Sequence, residues 1–170
     1  KTTLTRALAR RFGLEMALES VDDDNPWLSR FYGPEPDAKQ RYALRLQLHF
    51  LATRFRDMRR LRAQGGGWIL DRTWYEDAEI FARGLFEQEL LTADEFALYE
   101  QLYAELLTGP AARPPRLLIY LDGPLDLVVA RIGQRGRDAE RDAPPAYWKA
   151  LHARYAAWIT GFRRCPVLRL

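Results

Sequence analysis

Gly65-Gly66-Gly67-Trp68-Ile69-Leu70-Asp71-Arg72-Thr73 is the stretch on which the fold turns. Three glycines stop whatever precedes them, because glycine has the most conformational freedom to lose on entering a helix. Trp68-Ile69-Leu70 is a short apolar run of the kind that forms a buried strand, and it delivers Asp71 and Arg72 at its C-terminal end. Ahead of the glycines, Leu44, Leu48, Leu51, Phe55, Met58 and Leu61 recur at spacings of three and four. That period predicts one long helix over residues 37–63.

Working outward, the same alternation repeats. Residues 3–12 read as a helix closed by Gly13, and residues 15–21 as a short buried strand running into the acidic turn Asp22-Asp23-Asp24-Asn25-Pro26. Residues 75–86 read as a helix, and Thr92-Ala93-Asp94-Glu95 carries the capping-box pattern that opens another, to about residue 107. A loop over 110–115 precedes an apolar strand at 117–121. Pro124 starts a helix that leads into the arginine-rich segment 131–141. A last amphipathic helix over 145–162 precedes a strand at 167–170. Strands alternating with helices at this spacing predict an α/β fold with a mostly parallel, helix-covered sheet. Ligands of such sheets sit beyond the C-terminal strand edges, where Glu19, Asp71, Arg72 and the end of the 117–121 strand emerge.

The chain has 170 residues, 48% of them hydrophobic, which suits one domain with a substantial core. No stretch approaches the roughly 20 apolar residues of a membrane span, and no signal-peptide pattern is visible. The single Cys165 excludes an internal disulfide and permits a reducing compartment, so a cytoplasmic location is expected. Twenty-six basic residues interspersed with 23 acidic ones leave a net charge of +3. That balance, without a basic patch interleaved with aromatics, argues against nucleic acid as a partner.

Three clusters carry chemistry. Lys1-Thr2-Thr3 before a helix matches the end of a phosphate-binding loop, G-x-x-x-x-G-K-[ST], whose glycines are expected ahead of Lys1. In that loop backbone N–H groups and a helix N-terminus face the phosphates, the lysine reaches the outer ones, and the hydroxyl ligates Mg²⁺. Many surface helices also begin with lysine and threonine, so the motif counts only in company. Asp71-Arg72 is that company: a carboxylate at a strand end can hold Mg²⁺ directly or through water, and the arginine can neutralise a phosphate or position a hydroxyl. The plainer reading is a solvated ion pair. Third, Arg131, Arg135 and Arg137, separated by small or flexible residues and two glycines, suit a mobile lid that clamps transferring phosphoryl groups. A solvated basic helix end is the alternative. Glu19, alone, would pass as a surface charge.

Together these pieces resemble the deoxynucleoside kinases over the whole chain. Glu19-Ser20-Val21 matches the family's E-x-V segment, followed by Asn25-Pro26-Trp27-Leu28 and Phe31-Tyr32. Asp71-Arg72-Thr73 matches D/E-R-S, with Tyr75 and Asp77 beyond. Arg131, Arg135 and Arg137 match the R-x-x-x-R-G-R lid, with Glu140 after it, and residues 145–158 fit the family's P-x-Y-x-x-x-L-H-x-x-Y stretch. The resemblance implies a three-layer phosphate-loop fold, a parallel sheet flanked by helices with an arginine-rich lid. It implies transfer of the γ-phosphate of ATP, or another nucleoside triphosphate, to a deoxynucleoside 5′-hydroxyl. By it Glu19 is the general base and Arg72 orients the hydroxyl. Lys1, Thr2, Thr3, Arg135 and Arg137 hold the donor, with Arg131 and Arg135 acting in catalysis. Thr2 and Asp71 serve Mg²⁺. Tyr32 and Glu140 bind the 3′-hydroxyl, Gln47 reads the base edge, and Phe81 stacks on the base.

Arg54 and Asp77 bear on base choice: the resemblance implies that the pair goes with guanine, adenine or cytosine. Because Asn25-Pro26-Trp27-Leu28 and Phe31-Tyr32 resemble the bacterial deoxyguanosine and deoxyadenosine kinases, a purine deoxynucleoside is expected. Thr73 in place of serine and the proline-rich 33–39 stretch depart from the pattern. The family usually forms homodimers, for which Phe96, Leu102 and Leu106, or Tyr155, Trp158 and Ile159, offer apolar faces. These residues would serve equally as ordinary core. A thymidylate kinase shares the loop, the D-R pair and the lid, and remains an alternative, as does a non-catalytic kinase-like binding subunit.

Overall fold

The strand after the glycines pairs with the strand after the first helix, and both run the same way. In a computed structural model describing residues 1–18, 25–136 and 143–170, β1 (Glu15–Ala17) and β2 (Trp68–Leu70) are parallel, with Glu15 opposite Trp68 and Ala17 opposite Leu70. The ladder continues one residue past β2, where the Asp71 N–H donates to the Ala17 carbonyl at 3.0 Å. Asp71 is thereby fixed at the C-terminal edge.

Helix α1 (Thr2–Phe12) packs on both strands and ends at Gly13, whose φ of +62° only a residue without a Cβ adopts freely. A short helix, α2 (Leu28–Phe31), follows, entered through a turn in which Asn25 Oδ1 accepts from the Trp27 N–H at 3.0 Å. The long helix α3 (Ala38–Gln64) buries Leu51, Phe55, Met58 and Leu61 as its period predicts. Toward its N-terminus the buried positions are Ala43, Leu46 and Gln47 rather than Leu44 and Leu48. A polar side chain thus occupies the core face.

The helix expected over 75–86 is three pieces. Helix α4 (Trp74–Glu76) passes into a π-helical turn (Asp77–Ala82) and then α5 (Arg83–Glu87). Helix α6 (Ala93–Thr108) opens with the anticipated capping box: Glu95 N–H donates to Thr92 Oγ1 and Thr92 N–H to Glu95 Oε2. Phe96 is buried and stacked on Phe86, ring centroids 4.6 Å apart, so it belongs to the core rather than to an interface. A single 3₁₀ turn, Pro110–Ala112, ends this part of the chain.

The chain divides into two units, Lys1–Arg113 and Pro114–Leu170. The second contains a parallel pair of its own, β3 (Leu118–Tyr120) with β4 (Val167–Arg169), and helices α7 (Leu125–Arg135) and α8 (Pro145–Gly161). Here the glycines act differently from expectation. Gly133 stays inside α7, its modest penalty absorbed by an eleven-residue helix. Gly136 alone ends the helix, at φ +67°. His152 on α8 holds the loop before α7 through its Nε2, 3.0 Å from the Gly123 carbonyl. Ile159, named above for an interface, is buried. No described helix is long and apolar enough to cross a membrane.

Candidate active site

Lys1, Thr2 and Asp71 meet although about seventy residues of chain separate them. The N-terminus of α1 and the end of β2 lie side by side, so Thr2 Oγ1 donates to Asp71 Oδ2 at 2.5 Å and Lys1 Nζ stands 3.3 Å from Oδ1. Asp71 is almost wholly buried, whereas Lys1 remains partly in solvent. Burial alone would raise the Asp71 pKa. The Lys1 charge, with hydrogen bonds from Thr2 and Lys1, overcomes it and holds the carboxyl below its ordinary value. The result favours the charged carboxylate at the strand edge. Its Oδ1 is buried and faces the Lys1 ammonium, and with the Thr2 hydroxyl it offers hard oxygen donors fit for Mg²⁺.

Arg72, next along, has a backbone φ of +102°, a region that side-chain-bearing residues rarely enter and that marks stored strain. Its guanidinium carbon lies 4.5 Å from the centroid of the Phe81 ring, within cation–π range. Thr73 then caps α4: its Oγ1 accepts from the Tyr75 N–H at 3.2 Å, and its own N–H and hydroxyl donate to Glu76 Oε2. Burial raises the Glu76 pKa despite the Thr73 hydrogen bond and the nearby Arg72 charge. Threonine supplies the same capping hydroxyl as serine, so this departure from the expected motif leaves the local geometry intact.

A second cluster lies between α3 and the π-helical turn. Arg54 Nε donates to Asp77 Oδ2 at 3.0 Å, both side chains largely buried. Gln47 sits seven residues before Arg54, two turns along the same face of α3. It is buried, and among the described residues its Oε1 has no hydrogen-bond partner. Tyr99 on α6 is fully buried, and its phenol pKa is driven up by burial and then by the charge of Asp77. Tyr99 and Glu76 belong to this neighbourhood and were missed from sequence. Tyr99 looks like one more core aromatic beside Phe96, and Glu76 like part of an ordinary helix.

The remaining sites divide by location. Tyr32 caps the end of α2, half exposed, edge-on to Phe31. Thr3 lies in the first turn of α1. Arg131 and Arg135 are exposed, one turn apart at the end of α7. Glu19, Arg137 and Glu140 lie outside the described residues.

Comparison with known proteins bears on the family and the fold. A sequence model of the deoxynucleoside kinase family matches residues 1–170. The chain is similar to a deoxyadenosine/deoxycytidine kinase of Bacillus subtilis, 39% identical over all of this chain and 76% of that one. It is also similar to a deoxyguanosine kinase of Lactobacillus johnsonii, 32% identical over all of this chain and 76% of that one. A solved structure of a deoxyadenosine kinase from M. mycoides with bound dATP aligns with a TM-score of 0.81 at 19% identity, over 99% of this chain and 83% of that one. The likeness shows the α/β fold expected from the strand and helix order. The chain belongs to the deoxynucleoside kinase family.

Proposed function

We propose that the chain transfers the γ-phosphate of ATP, or of another nucleoside triphosphate, to the 5′-hydroxyl of a deoxynucleoside, with preference for a purine. The observation that carries the reading is the meeting of an amine, a hydroxyl and a buried carboxylate at Lys1, Thr2 and Asp71. Lys1 holds the outer phosphates, with Thr3 at the first turn of α1 beside them. Thr2 and Asp71 would hold Mg²⁺, which when bound supplies neutralisation of charge developing on the phosphate oxygens. Glu19 takes the proton of the attacking hydroxyl, which requires it to come within hydrogen-bond reach. Arg72 orients that hydroxyl, and Tyr32 and Glu140 hold the 3′-hydroxyl. Arg131, Arg135 and Arg137 close as a cationic lid over the transferring group.

Base choice rests on Gln47, Arg54 and Asp77, with Phe81 stacking. An acceptor buried without a donor is unfavourable until something supplies one. The Gln47 carbonyl therefore favours a base with an exocyclic amino group on its edge, and the Asp77 carboxylate, held by Arg54, adds a second acceptor. Adenine, guanine and cytosine carry that group and thymine does not. The relatives above are named for the same three bases.

The test is a phosphorylation assay on the protein. Each of the four deoxynucleosides and thymidine monophosphate is offered with ATP and Mg²⁺. Turnover of deoxyadenosine or deoxyguanosine above the others is expected, with Glu19→Gln lowering kcat by roughly 10²-fold. Turnover of thymidine monophosphate alone, or near-normal turnover by Glu19→Gln, overturns the mechanism.

A further inference from the structure

Arg72 holds an unusual backbone conformation, and its charged group lies over the Phe81 ring. A non-glycine backbone at φ +102° persists only where the surroundings over-determine it. The Arg72 guanidinium lies over the Phe81 ring at 4.5 Å. The element carrying that ring is itself unusual: the turn Asp77–Ala82 is π-helical, a form that recurs at functional sites. Asp77 at its start accepts from Arg54, and Phe81 four residues later carries Arg72, so one turn serves two arginines. The turn is well anchored, because Ala78, Ile80 and Ala82 are buried.

We propose that Phe81 is a positioning residue for Arg72, holding the guanidinium in its working orientation, beyond any stacking of the ring on a base. This rests on the reading of Arg72 as the residue that orients the attacking hydroxyl. A ring that only stacked on the base would govern substrate binding. A ring beneath the arginine governs the chemical step as well, and its effect must vanish when the arginine is changed.

Steady-state kinetics separate the two. Phe81→Leu and the more volume-conserving Phe81→Met both remove the π-face, and Phe81→Tyr keeps it. The aliphatic variants are expected to lower kcat by about 10-fold, the size of a partly desolvated cation–π contact, and Phe81→Tyr to stay within about twofold. In an Arg72→Gln background, which removes the cation, the aliphatic change should have little further effect on the residual kcat, the non-additivity of residues that act through one another. A rise in KM with kcat unchanged, or an equal loss of kcat in both backgrounds, overturns the proposal. Should the wild-type chain phosphorylate no deoxynucleoside, the kinase reading fails by itself. The same four-protein cycle is then read by thermal unfolding. Coupled shifts in Tm would uphold the Phe81–Arg72 contact as what orders the arginine, and additive shifts would overturn it.

Discussion

At Asp71, burial and charge pull in opposite directions, and charge wins. Asp71→Asn keeps an acceptor for the Thr2 hydroxyl but removes the charge that Lys1 faces and that a divalent cation would need. Activity is expected to fall by about 10²-fold or more, the scale of a lost electrostatic group in the transition state. A titration of rate against Mg²⁺ should show the loss in metal dependence; unchanged Mg²⁺ dependence would remove Asp71 from the metal site. Gln47 presents the opposite case, a residue whose function is bought with stability. Its carbonyl is buried without a donor, so Gln47→Leu should raise stability by about 1 kcal/mol, measured as a higher Tm in the absence of ligand. The same change should weaken binding of amino-bearing nucleosides, read as a KM raised about 10-fold or more. A Leu variant that is both less stable and unaltered in KM would show Gln47 to be structural.

The elements around these residues were legible in unequal measure. The glycine-stopped helix α3, strand β2 and the capping box of α6 follow from apolar period, backbone freedom and a hydroxyl three residues before a glutamate, all local properties. Helix α2 did not, because four residues show no period. The π-helical turn, which packs on α3, and the Arg72 backbone did not either: a π turn leaves no period of its own to read, and arginine gives no sign of a positive φ as glycine would. Gln47 could be named only through the family resemblance; its place on the core face has to be seen. Glu76 makes a testable element-scale case. It completes the cap of α4, yet burial raises its pKa, so the folded state holds its proton over a pH range where the unfolded chain releases it. Stability from this group is therefore greatest below the ordinary carboxylate range and falls as pH rises through the raised value. Glu76→Gln keeps the acceptor for the Thr73 N–H and removes the titration. Wild type should lose Tm relative to this variant as pH rises from about 4 to 7. A constant difference across that window would mean Glu76 does not titrate differently on folding.

For the molecule as a whole, the open matter is what covers the outer face of α6. Its inner face is core, with Phe96 and Tyr99 buried. Its outer face leaves Leu98 at 55% and Leu102 at 42% exposure, one turn apart, where helical period would place polar residues. Of the residues considered for self-association, Phe96 and Ile159 are core and Leu102 is exposed, so the Leu102 side of α6 is the surface to test. We propose that this face pairs with a second copy, since a two-fold interface needs only one self-complementary patch. Sedimentation of the 19.8 kDa chain should then give twice that mass. Replacing both Leu98 and Leu102 with glutamate should return the monomer, because a two-fold axis sets like charges against each other. The exchange touches no buried side chain, so the variant should keep its helical content and fold. A wild-type chain that sediments as a monomer at tens of micromolar, or a double variant that remains a dimer, would rule this face out.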